Sequence, residues 1–111
     1  MIKIEVVGES MFPKYRDGDW LLARFWPGGV STVLTQGLIG KAVLIQREST
    51  AAGADILQIK RLVDIERTED GWPLFWVEGD NKDASTDSRQ WGWLSGSELK
   101  GVVLLRYRRR K

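Results

Sequence analysis

Ser10 lies in the stretch GESMFP at 8–13, and fifty residues further on Lys60 lies inside ILQIKRLV at 56–63. A hydroxyl is a poor nucleophile until a base takes its proton. The chain of 111 residues contains no histidine and no cysteine. That excludes serine–histidine and cysteine–histidine chemistry, thiolate metal sites and disulfides. A zinc site would have only carboxylates to draw on. The remaining bases are carboxylates and lysines. A lysine amine titrates near ~10.4 in water and must fall to about 7–8 to serve as a base near neutrality. Burial among apolar groups produces such a fall by penalising the ammonium form.

Of seven lysines, only Lys60 sits within a long apolar run. Lys3 and Lys14 have charged neighbours, Lys41 opens a strand behind a glycine, Lys82 and Lys100 lie in polar contexts, and Lys111 ends the chain. Strand alternation places Lys60 with Ile56, Gln58, Leu62 and Asp64, and sets Leu57, Ile59, Val63 and Ile65 opposite, with Arg61 among them. Both faces are mixed. On residue types alone an outward, snorkelling lysine is the favoured reading, and the inward one stays open.

A third polar cluster, GDNKDASTDSR at 79–89, packs Asp80, Asp83, Asp87, Asn81, Ser85 and Ser88 between aromatic segments. Asx and Ser turns account for most loops of this kind. A calcium loop is a second reading, but the closing bidentate glutamate of an EF-hand is missing. Asp87 and Arg89 are spaced to pair within a tight turn.

The elements that must position these groups read as strands. IKIEVV alternates apolar and charged residues, Asp17-Gly18 signals a turn, and DWLLARFW follows as a second strand. KAVLIQRE, the long DILQIKRLVDIER, WPLFWVEGD, WGWL and ELKGVVLLRYR continue the series, and STAAGA at 49–54 reads as a flexible loop. No repeat occurs and no helical period exceeds two turns. The fold class expected is all-β and mainly antiparallel, a small barrel or sandwich with little helix, forming one domain over 1–111 with a frayed basic tail at 106–111. No run approaches the roughly 18 apolar residues of a membrane span. With charge inside its apolar N-terminus, the chain is expected to be soluble and cytoplasmic.

In this order the three clusters resemble the signal-peptidase-like serine peptidases, which pair a serine nucleophile with a lysine base. GESMFPKYRDGDWLLA at 8–23 is similar to the family's serine block, IKRLV at 59–63 to its lysine block, and EGDNKDASTDSRQWG at 78–92 to its third and most specific block. The resemblance implies a catalytic core of small β-barrel type in which Ser10 is the nucleophile and Lys60 the general base. Ser85 is implied to orient the lysine, and Asp87 and Arg89 to brace the loop together with Asp80 and Asn81. Gly8, Met11, Pro13 and Ile59 are implied to line the substrate approach, and the Ser10 N–H to face the oxyanion. No cofactor and no metal are implied.

Two departures stand out. Glu9 precedes the serine where relatives carry something small or uncharged, and is expected to point to solvent or to a cationic substrate residue. The chain is also expected to lack the membrane anchor and the inserted second domain of preprotein-processing relatives, and so looks like a stripped core. Short members of this kind resemble the maturation proteases of nickel-type superoxide dismutase, so the partner expected is a protein whose N-terminal propeptide is removed. Two alternatives remain: a self-cleaving repressor-type peptidase, and a non-catalytic Trp-rich β-barrel binding peptide or nucleic acid. Nucleic acid is the less favoured partner, since the net charge is only +2.

Overall fold

The structure, a computed structural model, describes residues 1–29, 36–47 and 57–109. The STAAGA stretch and the last two residues of the basic tail lie outside the described residues. Seven strands make one sheet: β1 (Ile2–Glu5), β2 (Trp20–Phe25), β3 (Ala42–Ile45), β4 (Gln58–Arg67), β5 (Pro73–Glu78), β6 (Leu94–Ser95) and β7 (Leu99–Arg108). Their spatial order is β1-β2-β7-β3-β4-β5-β6, and every pairing is antiparallel. One short helix, α1 (Ser88–Trp91), and three single 3₁₀ turns complete the described elements. The all-β, antiparallel expectation therefore holds.

Bulges curl the sheet. Along β2–β7 the register slips twice, leaving Leu104 and Tyr107 as extra residues, and along β4–β5 it slips between Leu62 and Asp64, where Val63 is extra. An inserted residue bends its strand and tightens the twist. The slip at Val63 corrects the simple alternation read from the sequence. Lys60 and Leu62 share one side as expected, and that side is buried, but beyond the bulge Ile65 turns inward and Asp64 outward. The basic tail is also corrected: Arg106, Tyr107 and Arg108 belong to β7, and Arg106 and Arg108 pair with β2 rather than fraying.

Two apolar clusters fill the curl. One gathers Val6, Met11, Tyr15, Leu21, Ala23 and Val103, and the other Leu62, Ile65, Phe75, Val77, Leu94 and Leu99. β3 is the shared wall. Its four residues, AVLI, are all buried, with Ala42 and Leu44 in the first cluster and Val43 and Ile45 in the second. An uninterrupted apolar run of strand length is what burial on both faces demands.

Candidate active site

The serine block forms a tight loop between β1 and β2. Gly8 takes a left-handed φ of 90°, which a side chain would strain, and its N–H donates to Asp17 Oδ1 at 2.7 Å. The N–H of Phe12 donates to the carbonyl of Glu9 at 3.1 Å, and that of Tyr15 to the carbonyl of Met11 at 3.0 Å. Met11, 1 % exposed, anchors the loop in the first cluster. Ser10 is thereby held half-buried at the mouth of a cleft. Among the described residues its N–H and its hydroxyl engage no other protein group.

Lys60 lies in the middle of the sheet, paired with Val43 on β3. Only 3 % of it is exposed, so the snorkelling reading is overturned: β4 is an interior strand and this position faces the protein. Its Nζ donates to Ser85 Oγ at 3.0 Å. Burial depresses the Lys60 pKa; the Asp87 carboxylate pulls it back up and Arg89 pushes it down.

Behind Ser85 stands a buried carboxylate. Ser85 Oγ donates to Asp87 Oδ2 at 2.8 Å, and the Gly79 N–H donates to the same oxygen at 2.8 Å. The Arg89 side chain closes a two-pronged ion pair with Asp87, Nε to Oδ1 at 2.9 Å and Nη2 to Oδ2 at 2.6 Å. Burial opposes ionisation of Asp87, but the bonds from Arg89, Gly79 and Ser85 outweigh it and hold the carboxyl well below the usual range. Asp87 also caps α1, with Gln90 returning a bond to its N–H at 3.0 Å.

Gly79 stands between the two halves of the site. A Cβ placed there would fall on the Ser85 side chain and come within 2.8 Å of the Ser10 carbonyl. The next residues fasten the serine loop. The Asn81 N–H donates to the Ser10 carbonyl at 2.9 Å, and Asn81 Nδ2 donates to the Glu9 carbonyl at 3.0 Å. Asp80 grips Arg61, the residue after the lysine, with contacts of 2.6 and 3.1 Å. Asp80 and Asp87 are thus engaged by guanidinium groups, and among the described residues no three acidic side chains gather as the calcium-loop reading requires.

Ser10 and Lys60 line the same cleft, which encloses about 750 Å³. Gly8, Met11 and Ile59 line it as well, whereas Pro13, which follows a cis peptide bond, does not. Nor does any tryptophan: Trp91 packs against the second cluster, and Trp72 and Trp93 are exposed elsewhere. Glu9 is exposed at the cleft. The sequence reading missed Arg61, the partner of Asp80, and Ser88, whose Oγ accepts the Val77 N–H at 2.9 Å. It also missed the helix at 88–91, although Asp87 followed by Gln90 is a capping pattern.

Chemically, the cleft offers a hydroxyl, a dry amine with a lowered pKa and an unengaged backbone N–H. Comparison with protein-family models, with curated proteins and with solved structures gives no match. No described helix is long and apolar enough to cross a membrane.

Proposed function

We propose that this chain is a serine endopeptidase of the Ser/Lys type, with Ser10 as nucleophile and Lys60 as general base. The observation that carries the reading is the environment of Lys60. An amine 3 % exposed, bonded to a serine and lining one cleft with a loop serine, is an expensive arrangement for a merely structural residue.

In the proposed reaction neutral Lys60 takes the Ser10 proton as Oγ attacks the substrate carbonyl. The tetrahedral oxyanion is met by the Ser10 N–H. Collapse breaks the C–N bond, and the Lys60 ammonium returns its proton to the leaving amine. Water, deprotonated by the same amine, then hydrolyses the acyl ester. Ser85 keeps the amine aimed, and Asp87 with Arg89 keeps Ser85 aimed. No hydrogen bond joins Ser10 Oγ to Lys60 Nζ in the free protein. Such bonds are commonly long before substrate arrives and shorten in the complex.

The substrate class proposed is a protein with a removable N-terminal propeptide, a nickel-type superoxide dismutase precursor among the candidates. The test is incubation of the protein with such precursors and with an acylating serine probe. Wild type is expected to cleave and to gain the probe mass on the Ser10 peptide, whereas Ser10→Ala and Lys60→Met do neither. Probe mass on another residue, or full cleavage by Lys60→Met, overturns the reading.

A further inference from the structure

The cleft has a charge pattern that the dyad does not use. Two acidic residues line it, Glu5 and Glu9. Both residues are exposed, and neither enters an ion pair among the described residues. Among the described residues the lining holds a single cation, Lys60, whose amine is buried and bonded to Ser85. A chain of net charge +2 thus presents an acidic mouth at the place where Ser10 is held.

Glu9 is set there firmly. Its carbonyl accepts from the Phe12 N–H at 3.1 Å and from Asn81 Nδ2 at 3.0 Å, so its main chain is fixed one residue before the nucleophile. Its side chain is exposed and stands open to whatever enters.

Resting on the peptidase reading above, we infer that the cleft selects peptides with a lysine or arginine close to the scissile bond, and that Glu9 and Glu5 are the specificity-determining residues. The remaining lining is largely apolar, including Ile4, Val6, Met11, Leu44 and Ile59. It suits small apolar residues on either side of that cation. An exposed pair of this kind is a modest discriminator, and salt screens it.

The test uses fluorescent peptides of small residues that differ at one position, Lys, Gln or Glu, moved along the peptide. Cleavage is followed with wild type, and binding by anisotropy with Ser10→Ala. At one or more positions the Lys peptide is expected to be favoured over the Gln peptide by about 3- to 10-fold in both assays. The Glu peptide is expected to be disfavoured. The preference should shrink with added salt, vanish in the Glu5→Gln/Glu9→Gln double variant and reverse in Glu9→Lys. Equal handling of the three peptides overturns the inference, as does a preference that survives the double variant or a Lys peptide that does not bind. Cleavage without charge preference sinks the specificity and leaves the peptidase. Charge-selective binding that Glu9→Gln abolishes, with no cleavage by wild type, sinks the peptidase and leaves the acidic mouth.

Discussion

Lys60 Nζ and Ser85 Oγ lie 3.0 Å apart, and the hydroxyl passes its own hydrogen to Asp87 at 2.8 Å. The relay leaves Ser85 with only a lone pair to offer the amine. It orients Lys60 without acting as a competing donor. Ser85→Ala is expected to lower kcat by about 10²-fold with KM little changed, because the base loses its aim rather than the substrate its contacts. Peptide turnover checks this, and an unchanged kcat removes Ser85 from the machinery.

The pH dependence follows from the direction of the Lys60 shift. The base acts when neutral, so kcat/KM is expected to rise with pH through an apparent pKa below the ordinary lysine value of 10.5. The Asp87 carboxylate raises the Lys60 pKa, so Asp87→Asn should move that limb to lower pH, measured on whatever folded fraction remains.

Lys60→Met should abolish cleavage and leave the melting temperature unchanged or raised. Because the folded pKa is depressed, the folded state binds fewer protons than the unfolded chain between the two values. The native amine is therefore a liability at neutral pH that an apolar side chain removes. A large fall in Tm on this substitution would contradict the burial described above.

Asp87 acts in the opposite sense. Its folded pKa is also depressed, but the form it favours at neutral pH is the charged, bonded carboxylate. Its contribution to stability is present above the unfolded carboxyl value of about 3.9 and is lost as pH falls through the folded one. Thermal melts at descending pH should show a loss below about pH 4 that is reduced in Asp87→Asn. At neutral pH that variant should cost about 3 kcal/mol, the low end for breaking a buried pair, since the Arg89 side chain is 26 % exposed.

Gly79→Ala is expected to destabilise by about 1–3 kcal/mol and to cut activity further than stability accounts for. The added methyl meets the Ser10 carbonyl on one side and Ser85 on the other, so the loop must yield on the nucleophile's side or the base's. Urea melts and turnover measured on one preparation separate the two effects.

How much of this was legible in the sequence differs from element to element. The strands were, because their alternation and turn residues are local signals. The Asp87–Arg89 pair was, because both partners lie within one turn. The inward aim of Lys60 was not, because it depends on β4 having neighbours on both sides, and a mixed strand gives no sign of its place in a sheet. The Val63 bulge was hidden for a related reason, since a register slip is a property of two strands together. Arg61–Asp80 and Asn81–Ser10 join residues far apart in the chain, and no spacing rule reaches that far.

β3 has a consequence for the dyad on which the chemistry depends. The loop that carries Ser10 rests on one apolar cluster, while Lys60 rides a strand whose next inward residue, Leu62, belongs to the other. Ala42 to Ile45 separate the two clusters, and Val43 lies directly beside Lys60 in the sheet. A change of side-chain volume at Val43, which faces no solvent, thus presses on the strand that carries the base and spares the cluster under the nucleophile.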